Sequence, residues 1–189
     1  MVRVPPPARR STSRQTPDGL EIRVPSKRNV FVMLFLLAWL VAWGFGEVMV
    51  SRELLLGDPG ASALFLVVWL IMWTLGGGLA IYAWLRMLAG AERIVLGRGV
   101  LAIRTELFGV GPAREYDLMH VKNLRIERLS AWPTDMGATL RFWGIGGGPI
   151  AFDYGSKTVR FGAGLDDAEA RDIIAELRER HSFPELQSR

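Results

Sequence analysis

The chain has 189 residues, half of them hydrophobic, a net charge of +4, two histidines and no cysteine. The lack of cysteine excludes disulfides, thiolate zinc sites, iron–sulfur clusters and a cysteine nucleophile, and His120 and His181 alone do not make an imidazole metal site. A basic chain suits nucleic acid or an anionic membrane surface, and the placement of its charges decides between them.

The first 17 residues, MVRVPPPARRSTSRQTP, are rich in Pro, Arg, Ser and Thr and have no apolar period. They predict a disordered basic tail (1–17) able to touch a negatively charged leaflet. In 18–28, Leu20, Ile22 and Val24 alternate with Glu21 and Arg23, the pattern of a strand placed directly before the first apolar run.

Two long apolar runs follow. Asn29 to Gly46 is uncharged, and Ala61 to Leu85 is a longer uncharged run. About 20 apolar residues span the hydrocarbon core of a bilayer, so helices are predicted over 29–50 and 61–86, joined by a loop at 51–60. The first run is too long for the apolar segment of a signal peptide, and no small-residue cleavage site follows it. Arg3, Arg9, Arg10, Arg14, Arg23, Lys27 and Arg28 precede the first run, and Arg86, Arg93 and Arg98 follow the second; the connector is net acidic. The positive-inside rule then places both termini in the cytoplasm and the connector outside, a multi-pass arrangement. This assigns the basic charge to lipid headgroups and argues against nucleic acid. Lys27, Arg28, Arg86 and Arg93 are the candidate headgroup contacts.

Small residues mark both runs. Ala38, Ala42 and Gly46 recur every four residues, and Gly76 and Ala80 do the same in the second run, the pattern of close helix packing. Trp39 and Trp43 form one i, i+4 pair and Trp69 and Trp73 another. Trp39 falls about 15 Å past Asn29, too deep for an interfacial belt, whereas Trp84 suits one. The four tryptophans are either packing and lipid-facing bulk or a surface for another membrane protein. Glu47 reads as an interfacial group reaching water at the outer end of its span, with Arg52 and Glu53 close behind.

Beyond the second run the period becomes two. Strands are predicted at Glu92 to Leu96 and Val100 to Leu107 around the tight turn Gly97-Arg98-Gly99. Ala113 to Leu118 and Val121 to Leu129 follow, with a bend at Met119-His120 and one irregular step in the second of them. Further strands are expected at Ala138 to Trp143 and Ile150 to Tyr154. Gly155-Ser156 then reads as a type II′ hairpin loop returning through Val159 and Phe161. Asp166 and Glu169 have capping-box spacing, and Ala170, Ile173, Ile174 and Leu177 make the apolar stripe of a closing helix. The fold class expected is α+β: a two-helix transmembrane hairpin and about seven antiparallel strands closed by a C-terminal helix.

The stretch REYDLMHVKNLRI, with FDYGSKTVRFG and the helix from Asp166, resembles the pleckstrin-homology superfold. It is most similar to the bacterial PH-like domains carried on membrane hairpins. The resemblance covers residues 91–181 and extends to the strand at Leu20 to Val24, with the hairpin inserted after it; 182–189 is a flexible tail. It implies a bacterial inner (cytoplasmic) membrane location. Two features depart from the family. The first hairpin loop is only Gly-Arg-Gly, without the basic pattern that clasps phosphoinositides, and the closing helix lacks tryptophan, so phosphoinositide binding is not carried over.

GIGGGP, GVGPAR and GAGLDD each lack the glycine spacing or the βαβ context of a nucleotide loop. His120 beside Asp117 has no nucleophile setting, and Asp166, Asp167 and Glu169 are explained by a charged first helical turn. No catalytic site, cofactor or metal is therefore expected. The sequence points to a non-enzymatic membrane protein acting through a membrane-protein partner as scaffold, assembly factor or accessory subunit. The alternative is recognition of anionic lipids, with the bilayer itself as partner.

Overall fold

The computed structural model describes residues 10–57, 60–127 and 147–184. The chain divides into two compact units: Arg28–Leu88, and Met1–Lys27 together with Ala89–Arg189.

The second of these carries antiparallel sheets of five and three strands. The first sheet runs in the order β1 (Thr12–Thr16), β2 (Gly19–Pro25), β3 (Gly90–Gly97), β4 (Val100–Leu107) and β5 (Ala113–Asp117). The other is β6 (Val121–Ile126), β7 (Ile150–Tyr154) and β8 (Lys157–Phe161), and is followed by the helix α3 (Asp167–Arg180). Among the described residues the two sheets are separate ladders rather than one closed barrel. β2 pairs with β3 from Leu20↔Leu96 to Pro25↔Ala91, so one sheet is continuous across the two apolar helices inserted between its strands. The backbones of β2 and β3 meet closely at Gly19 and Gly97; a methyl on Gly19 would lie 2.8 Å from Gly97 Cα.

The predicted inner faces form the core. Leu20, Ile22 and Val24 of β2 meet Ile94, Leu96, Leu101, Val121, Leu124, Ile150, Phe152 and Phe161, and Ala170, Ile173, Ile174 and Leu177 of α3 close the cluster. Burying a side chain of this size contributes about 1.5–3 kcal/mol. Local signals behave as read. Asp166 accepts from the Ala168 and Glu169 amides in a full capping box, and Gly155 sits at φ 61 in the β7–β8 loop. The irregular step in β6 is a bulge between Lys122 and Arg125, with Asn123 at φ 54.

One expectation is overturned. Thr12–Thr16 are not part of a disordered tail but an edge strand paired to β2 from Thr12↔Arg23 to Thr16↔Gly19. Its side chains are mostly exposed, so no apolar alternation announces it; it forms because the outer edge of β2 offers unpaired backbone groups. The signal was Thr16-Pro17-Asp18-Gly19, a turn sequence with its own mechanism. The strand expected at Ala138 to Trp143, residues 1–9 of the tail and residues 185–189 lie outside the described residues.

In the other unit, α1 (Val30–Leu56) and α2 (Ala63–Ala89) are each 27 residues long and apolar enough to cross a membrane. Asn29 caps α1 by accepting from the Val32 amide. Both helices outrun the predicted bounds: α1 continues six residues past Val50 and shortens the connector accordingly.

Candidate functional site

Within Arg28–Leu88 the less exposed positions of α1 include Leu36, Leu40, Trp43, Glu47, Val50 and Leu54; on α2 they include Leu66, Leu70, Trp73, Gly77, Ala80 and Trp84. Alternating steps of three and four keep one seam facing a neighbouring helix. Three polar contacts cross the seam. Trp43 Nε1 donates to the Trp73 carbonyl at 3.3 Å, Trp84 Nε1 donates to the Met33 carbonyl at 3.0 Å, and Thr74 Oγ1 lies 2.6 Å from Glu47 Oε1.

This seam corrects the sequence reading. Ala38 and Ala42 are exposed on the far side of α1, and a methyl on Gly76 would meet nothing within 4 Å. Gly46 and Ala80 do lie on the seam, and the close approach is at Gly77, against the Trp43 ring. Trp43 and Trp73 stack at 6.4 Å across the seam, so these two pack the hairpin, and Trp69 stacks on Trp73 at 4.5 Å one turn away on the same helix. Trp39 stays 39% exposed. Glu47 is not at a helix end; α1 continues nine residues beyond it, about 14 Å at helical rise.

The four candidate headgroup residues separate. Lys27 and Arg28 are exposed directly before the cap of α1. Arg86 is buried in the last turn of α2, with Nε unpartnered among the described residues. Arg93 is committed to carboxylates: its Nη1 lies 3.3 Å from Glu21 Oε1 and its Nε 2.9 Å from Glu106 Oε1. Glu106 is only 1% exposed, and neither of its oxygens makes a directed hydrogen bond, so the Arg93 charge is its nearest compensation. Nothing in the alternation of β4 marked Glu106 as buried.

In the sheet unit a cleft of about 690 Å³ opens between the hairpin ends at Gly97–Val100, Leu118–Met119 and Arg180–His181. Arg98 at its rim is held by Asp18 at 2.6 Å. A second, of about 460 Å³, runs between β6 and α3. Leu124, Ile126, Ile174 and Ala175 give it an apolar lining, and Arg171 and Arg178, seven residues apart on α3, stand along it. Among the described residues β6 is an outer strand, and part of its edge is used: Leu124 O accepts from Arg178 at 2.9 Å, and Asn123 N donates to the Pro184 carbonyl at 2.8 Å.

A polar knot borders this cleft. Arg125 and Asn123 both reach Asp153 Oδ2 at 2.9 Å, and Thr158 donates to Asp153 Oδ1. Burial pushes the Asp153 carboxyl upward, but the Asn123, Arg125 and Thr158 hydrogen bonds and the Arg125 charge outweigh it and hold it below the usual value. Arg125 and Arg160 also converge on Glu127.

His120 is exposed, 3.6 Å from Asp117 Oδ2, while Asp117 Oδ1 accepts from the Met119 amide. That is the chemistry of a capped turn. Glu169 bonds the Arg10 amide and guanidinium rather than standing ready for a cation. Among the described residues no group of three or more His, Asp and Glu side chains is placed to hold a metal. Comparison with protein-family models, with curated proteins and with solved structures returned no match.

Proposed function

We propose that this chain is a non-enzymatic integral protein of a bacterial inner membrane, with both termini in the cytoplasm and a PH-like domain displayed there. In this reading it is a scaffold, assembly factor or accessory subunit of a membrane protein complex. The observation that carries it is the cleft beside β6 and α3, whose apolar lining and Arg171 suit an extended partner segment bearing apolar and acidic side chains. The insertion of both apolar helices between paired strands β2 and β3 supports it too, because the sheet is tethered at two adjacent strands.

The test is photo-crosslinking in native membranes from Ala175, read by mass spectrometry. One recurrent protein adduct, lost on Arg171→Glu, is the expected result. An adduct pattern indifferent to that charge reversal, or lipid adducts alone, sinks the reading.

A second reading, contact with anionic headgroups, is favoured by Lys27 and Arg28, exposed beside the start of α1. It predicts a charge-dependent preference of the full chain for anionic over neutral nanodiscs, weakening with salt and abolished by Lys27→Ala/Arg28→Ala. The loss of Arg93 to Glu21 and Glu106 leaves this surface smaller than the sequence implied.

A further inference from the structure

The turn between β4 and β5 holds an exposed ring where the backbone disfavours one. Leu107 and Val110 exchange backbone hydrogen bonds of 2.8 and 3.1 Å around Phe108, at φ 54, and Gly109, at φ 81. Both central residues are left-handed, as in a type I′ turn, whose first position suits asparagine, aspartate or glycine. Phenylalanine there works against its own conformational preference. No burial offsets this, because Phe108 is 63% exposed and Val110 76%. The same left-handed pair recurs at Arg98-Gly99, φ 52 and 79, but there Asp18 holds the arginine at 2.6 Å.

The position of the turn says what it meets. Phe108 N donates to the Ala89 carbonyl at 3.3 Å, and Ala89 is the last residue of α2. Pro25 of β2 pairs with Ala91, and Ser26 N donates to the Gly90 carbonyl at 2.9 Å, just before the Asn29 cap of α1. The turn therefore lies at the end of the sheet where the chain departs for one apolar helix and returns from the other. Among the described residues of the sheet unit the exposed large hydrophobics are Phe108, Val110 and Met119. Two share this turn, and Met119 lies at the opposite end, beyond the Val100↔Asp117 pair. Basic residues stand behind the tip. Arg23, Arg93 and Arg104 are in register across β2, β3 and β4, about 7 Å in from the Pro25–Ala91–Glu106 rung at strand rise. Arg93 is neutralised by Glu21 and Glu106, whereas Arg23 and Arg104 are exposed and make no ion pair among the described residues.

We propose that Phe108 and Val110 form an interfacial anchor that dips into the acyl–headgroup boundary of the bilayer, with Arg23 and Arg104 at the level of the lipid phosphates. This rests on the membrane-hairpin reading above and goes beyond it, since two spans fix where the chain crosses and not which part of the sheet meets lipid. Burial at that boundary removes from water the two apolar side chains that the turn leaves exposed. Every phospholipid carries the phosphate, so the anchor needs no particular headgroup.

The chain lacks cysteine, so single cysteines can carry a nitroxide. Val110→Cys and, at the opposite end of the sheet, Met119→Cys are spin-labelled in the full chain. Each is placed in nanodiscs of phosphatidylcholine, with or without phosphatidylglycerol, one chain to a disc so that no partner or second copy does the shielding. Power-saturation EPR compares collisions with oxygen, which concentrates among acyl chains, and with a nickel chelate, which stays in water. The expected result is a Val110→Cys label reached by oxygen and shielded from nickel in both lipids, and a Met119→Cys label with the reverse pattern. Phe108→Asn keeps the turn, because asparagine suits its first position, and should return the Val110→Cys label to the aqueous pattern. A Val110→Cys label as open to nickel as the Met119→Cys label, or shielding unchanged by Phe108→Asn, overturns the anchor while an alkali-resistant chain leaves the spans standing. A chain that alkali releases from membranes overturns the membrane reading first and this inference with it.

Discussion

Replacing Gly77 with alanine places a methyl group 2.6 Å from Trp43 Cη2 and closer still to Cζ2 and Cε2. The ring has little freedom to move aside, because its Nε1 bonds the Trp73 carbonyl and its face stacks on Trp73. Relief therefore sacrifices that hydrogen bond, about 0.5–1.5 kcal/mol, and that stack, about 0.5–1.5 kcal/mol, or leaves overpacking of about 1–3 kcal/mol. Alanine returns up to about 1 kcal/mol through helix propensity. The net expectation for Gly77→Ala is a loss of about 0–2 kcal/mol, and of about 1–3 kcal/mol relative to Gly76→Ala, which gains the same propensity. Gly76→Ala, one residue earlier, meets nothing within 4 Å and should be neutral or slightly stabilising. The assay is denaturation of the full chain in detergent micelles, followed by the circular-dichroism couplet of the stacked indoles Trp43, Trp73 and Trp69. Equal midpoints for the two variants, with the couplet intact in both, would refute the seam.

Three further outcomes follow from the sheet unit. Asp153 titrates below its ordinary value of 3.8 in the folded chain, so its stabilising contribution is complete at neutral pH and disappears as pH falls through that lowered value. Asp153→Asn should cost about 1–2 kcal/mol at pH 7 and converge with the parent as pH falls through that lowered value, as thermal melts across a pH series would report. Arg93→Ala should destabilise by about 2–4 kcal/mol, because it strands the buried Glu106, and Arg93→Ala/Glu106→Leu should recover most of that in urea titrations. Asp166→Ala should lose about 1 kcal/mol through its cap, and Glu169→Ala more, since it also releases Arg10; equal melting temperatures for the two would contradict the Arg10 contact.

The strands and caps were legible because their signals are local. Period-two alternation selected the core residues Leu20, Ile22 and Val24 of β2, Ile150 and Phe152 of β7 and Phe161 of β8. The glycine of Gly155-Ser156 and the Asp166–Glu169 spacing each describe a few adjacent residues. The bulge in β6 was visible as a broken alternation around Asn123. The candidate sites were less legible: of the two readings open for the four tryptophans, packing holds for Trp43 and Trp73 across the seam, while Trp39 stays exposed.

The sequence by itself determined two apolar helices long enough to span a membrane, inserted between strands of one sheet, because hydropathy, length and alternation are properties of the chain alone. Only the tertiary structure decided which side of each helix meets the other. In helices that are apolar all round, Ala38 and Leu36 carry no difference that tells a lipid from a neighbouring helix, and the choice falls to how indole rings fit against Gly46 and Gly77. The same holds for β1, whose polar residues gain their place from the free edge of β2. It holds again for Glu106, an ordinary strand carboxylate in the sequence, which packing buries beside Arg93.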